Sequence, residues 1–537
     1  MRHLTPFEVI SIYPQHDYTL RGLFETRKQA DPGRPFLLFK DRTRSWGEFA
    51  EAIDAAAGML LDRGVRKGDR VAIMATNSDV HVLLMFALAR IGAIMVPVNP
   101  EFGVAEAQYV MGHAGVSAVA CSTETLAVAR EAAREIGPSP WFMLVDEAVE
   151  GLPLLSDLVR QAGRRKLPDD ISPDDTCAII YSSGTTGFPK GVMHSQRNFV
   201  LSGERHVARV HLQPDDRVLC ILPMFHINAL FYSVAGTATA GACLIIAPKF
   251  SASNFWRFAA DTGATMVNVI MAVSTILARR PRTEFVPEHK LRLVTGAPFT
   301  REAMDVFQKE FGIGKVIEGF GMTEIPGAFS NPYDGPHKLA SMGKPGVHPD
   351  PSREWTQARV VDDEGRDVPN GTTGELAVRV PTLMQGYYRD PEQTAAAFRD
   401  GWFLTGDLVR REDDGYFFFV ARKKDIIRRR GENVAGAELD RIIGEHPGVS
   451  EAAAIAVESE LGEDDIMTVV VRKPGAAVEA SDIRDWCAAR LAAHKVPRFV
   501  VFADALPHTP THKVAKHILK KDGTLRTRAV DFEARRV

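Results

Sequence analysis

TCAIIYSSGTTGFPKG, residues 176–191, runs from an apolar β-forming segment into a turn of small and hydroxylic residues that closes on Lys190 and Gly191. The apolar part, 176–181, reads as a buried strand, and a helix is expected after Ser195. Between them Gly184, Gly187 and Gly191 permit backbone conformations and close approaches that a Cβ would block. Ser182, Ser183, Thr185 and Thr186 add hydroxyl donors, and Lys190 adds a cation. Backbone amides, hydroxyls and a lysine at the end of a strand suit a phosphate. The Walker pattern places Lys directly after its last Gly, with Ser or Thr following. Here Phe188 and Pro189 separate Gly187 from Lys190. Clusters of Ser, Thr and Gly are ordinarily polar turns. The apolar strand behind this one is what argues for a ligand.

Outward from this stretch the chain alternates. Residues 45–64 read as an amphipathic helix with Ser45 as N-cap and Gly64 as terminator. Strands DRVAIMA, RVLCILP, CLIIAP, TMVNVIM, LRLVTG and KVIEGFG are interleaved with helical segments such as SNFWRFAADTG and TREAMDVFQKEFG. That alternation implies βαβ units and a largely parallel sheet covered on both faces. After Tyr333 the texture changes to short strands with turn signals, including a hairpin turning at Asp414 and Gly415. Beyond it the segments AELDRIIGEH, SEAAAIAV, IMTVVVR, SDIRDWCAARLAA and RFVVFA form an α-β-β-α-β unit. The boundary is placed around Lys424, giving domains 1–423 and 424–537.

Bulk properties narrow the function. At 537 residues the chain exceeds one core. A net charge of −3 leaves no electrostatic footprint for nucleic acid, which is set aside as a partner. The five cysteines show no metal-ligand spacing and read as reduced core thiols of a cytoplasmic protein. No secretory signal is visible at the N-terminus. The most apolar window, HVLLMFALARIGAIMVPV, is interrupted by Arg90 and too short to span a bilayer. It reads as a buried helix running into a buried strand.

YSSGTTGFPKGVMHS (181–195) resembles the signature of the adenylate-forming enzymes: acyl-CoA synthetases, firefly luciferases and peptide-synthetase adenylation domains. GFGMTE (319–324), TGD (405–407), ARKKDII (421–427), GENV (431–434) and LPHTPTHKVAK (506–516) follow in that family's order. The resemblance implies an α/β fold. Its large N-terminal (AMP-binding) domain would have layered, mostly parallel sheets with helices and a β-hairpin or barrel-like subdomain, followed by a small mobile α+β C-terminal domain. It also implies an AMP-forming acid–thiol ligase using ATP, Mg2+ and coenzyme A. A carboxylate would attack the α-phosphorus of ATP, releasing pyrophosphate, and a thiol would then displace AMP. Cations and amide donors are needed because bringing a carboxylate to a polyphosphate is repulsive.

Carried over by motif, Ser182, Ser183, Gly184, Thr185, Thr186, Gly187 and Lys190 form the loop for the β- and γ-phosphates. Thr323 meets the α-phosphate, and Glu324 binds Mg2+. Gly296, Ala297 and Pro298 line the adenine, with Gly319, Phe320, Gly321 and Met322 also in the nucleotide site. Asp407 and Arg422 hold the ribose, Lys424 is the hinge, and Gly431 belongs to the GENV motif. Lys513 bridges the carboxylate and the α-phosphate, so Lys513, Thr186, Lys190 and Glu324 are the catalytic set. His512 stands where the family commonly has Gly before this lysine. Arg430 stands where a glycine often lines the coenzyme A passage. These two departures keep alternatives open: a carrier protein or amine as acceptor, or an inactive nucleotide-binding relative. Arg428, Arg429 and Arg430 could otherwise attract the anionic end of coenzyme A or form a solvated charge run.

For the acid, Phe225, His226 and Asn228 of LPMFHIN stand at the family's aromatic/His gate, and Met271, Ala272, Val273 and Ser274 supply apolar walls. No carboxylate is placed to hold an amino group, which disfavours an amino acid. Segments such as GWFLTGDLVRREDDGYFFFVARKKDIIRRRGENV look most like the crotonobetaine/carnitine–CoA ligase branch. The expected partners are a small carboxylic acid, ATP and CoA, and a homodimer is compatible with the sequence.

Overall fold

Ser45 starts the helix α1 (Trp46–Asp62) through a capping box with Glu48, and Gly64 follows its end at φ +88°. The apolar window 81–98 lies on α2 (Asp79–Arg90) and a following buried strand, Ile94–Pro97. The computed structural model describes residues 3–163, 165–182, 189–296, 298–429, 432–459, 464–508 and 514–533. By internal contacts these fall into two units. The first comprises Met1–Gly184, Pro189–Gln357 and Arg379–Phe398, and the second Ala358–Val378 and Arg399–Val537.

Two sheets organise the first unit, in keeping with the layered sheets that the resemblance implied. The seven-stranded sheet has β1 (Thr176–Ser182) beside the parallel strands Ile94–Pro97, Arg70–Met74, Ala118–Cys121 and Trp141–Leu144. On its other side β1 pairs antiparallel with β2 (Lys190–Ser195), and β2 with Gly386–Tyr387. The opening motif therefore spans a β-hairpin, and the helix expected after Ser195 follows directly on its second strand. That helix, α3 (Gln196–Val210), is N-capped by Ser195 and buried almost throughout. The nine-stranded sheet is parallel through its centre, which includes β3 (Met266–Asn268), β4 (Leu293–Gly296) and β5 (Lys315–Met322). Towards one edge β5 pairs antiparallel with β6 (Ile325–Ser330), and β6 with the edge strand Lys344–Pro345.

The core of this unit includes a packed aromatic group, Phe24, Phe36, Trp46 and Phe49, with ring centroids 4.4–6.0 Å apart. Truncating one such ring to Ala costs about 3–5 kcal/mol.

In the second unit, β7 (Trp402–Arg411) and β8 (Phe417–Arg422) form the expected antiparallel hairpin. Residues 436–502 then follow the α-β-β-α-β order, with a core that includes Ile427, Leu439, Ile443, Ile466, Val470 and Ile483. All five cysteines are free and buried. Among the described residues no helix is long and apolar enough to cross a membrane.

Candidate active site

The β1–β2 hairpin sets Ser182 opposite Lys190. Residues 183–188, which include Ser183, Gly184, Thr185, Thr186 and Gly187, lie outside the described residues, as do Ala297, Arg430, Gly431, His512 and Lys513. Lys190 Nζ sits 4.8 Å from the ring centroid of Tyr387, on the strand that borders β2. The Tyr387 hydroxyl donates to Glu324 Oε1 at 2.9 Å. Glu324 and Thr323 make the tight connection from β5 to β6, where Met322 pairs with Ile325. One tyrosine thus touches both the lysine and the carboxylate that the motifs single out.

Thr323 is held from behind. His194 on β2 donates from Nε2 to the Thr323 carbonyl at 2.7 Å, while Asn198 Nδ2 donates to its Nδ1 at 3.3 Å. Burial pushes the His194 pKa down to about 4. The ring is therefore neutral and acts as one fixed donor and one fixed acceptor. Tyr387 and His194 were not singled out in the sequence, although His194 lies inside the quoted motif 181–195.

On the nucleotide side, Gly296 ends β4 and Pro298 is exposed just beyond. Fully buried Glu318 accepts from Phe299 N at 2.8 Å and from Ala340 N at 3.1 Å, with His337 Nε2 at 3.3 Å. It pins the turn after Gly296 to the strand that carries Gly319. A charge inside the apolar strand KVIEGFG was its sequence signal. A Cβ at Gly319 would lie 2.7 Å from Phe329 O and 2.8 Å from the Arg209 guanidinium carbon. One at Gly321 would lie 2.6 Å from the Tyr232 hydroxyl. Both positions require glycine for close approach. Phe320 and Met322 are half-buried.

At the candidate acid site the rings of Phe225 and His226 lie 4.2 Å apart. Asn228 Oδ1 is buried without a hydrogen-bond partner among the described residues. Met271 is exposed at the start of its helix, Ala272 is half-buried, and Val273 packs into the main core.

In the second unit, Asp407 on β7 is fully buried opposite Arg422 on β8, whose Nε meets Asp407 Oδ1 at 2.6 Å. Lys424 is exposed in the short turn Lys423–Asp425. Its neighbour Lys423 bridges Glu375 and Asp363, each at 2.8 Å. Arg428 is exposed, whereas Arg429 is buried against Asp465 at 3.1 Å and Glu533 at 2.8 Å. Arg429 is thus taken up by internal ion pairs and is neither solvated nor turned to a ligand. Among the described residues no group of three or more His, Cys, Asp or Glu side chains could hold a metal.

The family model "AMP-binding enzyme" matches residues 24–388, and "AMP-binding enzyme C-terminal domain" matches residues 438–513. The sulfoacetate–CoA ligase of Cupriavidus necator is 33% identical over 504 residues, covering 93% of this chain and 96% of the relative. The crotonobetaine/carnitine–CoA ligase of Salmonella typhi is 30% identical, covering 89% and 93%. The crystal structure of ATP-bound MatB from Rhodopseudomonas palustris superposes with a TM-score of 0.84 at 30% identity, covering 93% of this chain and 98% of that one. The chain belongs to the AMP-binding enzyme family, as an AMP-forming acid–thiol ligase of the acyl-CoA synthetase kind.

Proposed function

We propose how the chemistry of this acyl-CoA ligase divides among its residues. An oxygen of the carboxylic acid attacks the α-phosphorus of ATP, the bond to the bridging oxygen breaks, and pyrophosphate leaves. The sulfur of coenzyme A then attacks the acyl carbon, and AMP leaves with the electron pair of the acyl–oxygen bond. Lys190, with Thr185 and Thr186, holds the departing pyrophosphate, and Thr323 orients the α-phosphate. Gly296, Ala297, Pro298 and Gly319–Met322 enclose the adenine. Asp407 and Arg422 hold the ribose, and Lys513 screens the approaching carboxylate. Lys424 marks the hinge between 1–423 and 424–537.

The observation that carries this reading is the chain from Lys190 through Tyr387 to Glu324. It ties a cation and a carboxylate to the phosphate-loop hairpin and the Thr323 turn together. A lone buried carboxylate with one oxygen already held suits Mg2+, which takes its other ligands from phosphates and water. The free, buried cysteines support a cytoplasmic location. Incubation with ATP, Mg2+, CoA and a panel of acids is expected to release AMP and pyrophosphate. Release of ADP would overturn the reading. Lys513→Ala is expected to lose adenylation while still turning over a supplied acyl-adenylate, and equal loss of both would remove Lys513 from that role.

A further inference from the structure

Helix α3 carries Arg205, His206 and Arg209 into the interior, where ionised groups are costly unless an opposite charge meets them. None does. Arg205 donates from Nε to Gly327 O at 3.1 Å and from Nη2 to Ser330 Oγ at 2.8 Å. Arg209 donates from Nη2 to Thr295 Oγ1 at 2.5 Å, and its Nε is buried with no partner. His206 is stacked on Tyr232 with centroids 5.7 Å apart, and both its ring nitrogens are buried without a partner. Among the described residues neither arginine forms an ion pair with a carboxylate. Burial, with Arg209 alongside, brings the Arg205 pKa down to about 9, as expected for uncompensated positive charge.

The place of this cluster is as telling as its charge. Arg209 lies against Gly319, and the Tyr232 hydroxyl against Gly321, both in the motif that borders the α-phosphate turn. Thr295, which Arg209 binds, directly precedes Gly296. Tyr232 sits in the π-helical turn Ala229–Val234 that begins just after Asn228, whose Oδ1 also lacks a partner. Thr295 and Gly319 thus border the Arg209 guanidinium, and Tyr232, four positions beyond Asn228 in the chain, stacks on the neutral His206 imidazole.

Resting on the ligase reading above, we propose that the acid activated here carries a second anionic group, a carboxylate or a sulfonate, held by Arg209 with His206 and Tyr232 beside it. Guanidinium donors match such oxyanions in charge and geometry. A substrate bearing a trimethylammonium group meets repulsion at the same place.

The test uses the acid-dependent ATP–pyrophosphate exchange assay and compares malonate, succinate and sulfoacetate with acids neutral beyond the reacting carboxylate, propionate and butyrate (matched to malonate and succinate in length), and with the cation-bearing crotonobetaine. The dianionic acids are expected to show a kcat/KM at least about 10-fold above their neutral counterparts, the scale of a buried charge-assisted hydrogen bond. Arg209→Met is expected to raise KM for the dianionic acids about 30-fold or more, changing the neutral acids and ATP less than about 3-fold, and Arg209→Lys to recover part of the preference. Retained turnover of neutral acids shows that the variant is folded. Equal or better use of neutral acids or crotonobetaine by the wild type overturns this proposal and leaves the ligase reading standing. Equal loss for both acid classes in Arg209→Met overturns it in favour of a purely structural arginine. No exchange with any acid overturns both.

Discussion

Replacing Tyr387 by Phe removes one hydroxyl and keeps the ring over Lys190. The lost interaction is a hydrogen bond at 2.9 Å to a buried carboxylate. Hydrogen bonds to charged groups contribute about 1.5–3 kcal/mol, which sets the loss in kcat/KM for ATP at roughly 10- to 100-fold if Glu324 must be held for reaction. The Lys190 contact, about 0.5–1 kcal/mol at a partly exposed site, is retained by Phe. Tyr387→Ala loses it and also empties a buried aromatic site, so it adds a stability loss of about 3–5 kcal/mol. The two variants therefore separate orientation of Glu324 from packing. Exchange kinetics at varied ATP and Mg2+ and a thermal melt read each effect. The expected Phe variant melts within a few degrees of wild type, binds ATP more weakly and needs more Mg2+ for half-maximal rate. A Phe variant with kcat/KM within about twofold of wild type and an unchanged Mg2+ requirement would refute the reasoning.

His16, His81 and His194 have their pKa values pushed from 6.5 to about 4, in each case chiefly by burial. Above 6.5 both folded and unfolded chains hold them neutral. As pH falls from 6.5 towards 4 the unfolded chain takes up protons that the folded chain refuses, so stability drops by up to about 3 kcal/mol per histidine. Melting temperatures measured from about pH 7.5 down to pH 5 should decline, and His81→Leu should flatten the curve; a flat wild-type profile would contradict this. Burial also pushes the Cys177 and Cys220 thiols up to about 12. Iodoacetamide near pH 8 is expected to alkylate them in the denatured chain and hardly at all in the native one, as counted by mass spectrometry. Asp407→Ala removes the buried partner of Arg422 and is expected to raise KM for ATP about 10- to 100-fold with a smaller effect on kcat. An unchanged KM would take Asp407 out of the ribose site.

Much of the architecture is written locally. The capping box at Ser45, the alternating apolar strands and the α-β-β-α-β order of the C-terminal segment depend on residues within a few positions of each other, and the structure shows each of them. The strand Lys190–Ser195 escaped because KGVMHS is short and half polar, and only its pairing with Thr176–Ser182 makes it a strand. That pairing inserts a second strand between the phosphate loop and the helix expected after Ser195.

Order and spacing of motifs were enough to name the reaction class, because the chemistry of AMP transfer constrains residue types wherever they fall. What surrounds those residues was decided by the fold. Tyr387 reaches Glu324 across 63 positions, and Arg209 reaches Thr295 across 86. No local pattern encodes such contacts. Nothing in the local sequence marks Arg205, His206 and Arg209 as buried. Only packing on every side makes them buried charge, and the lack of an opposing carboxylate among the described residues is what the proposal about the acid rests on.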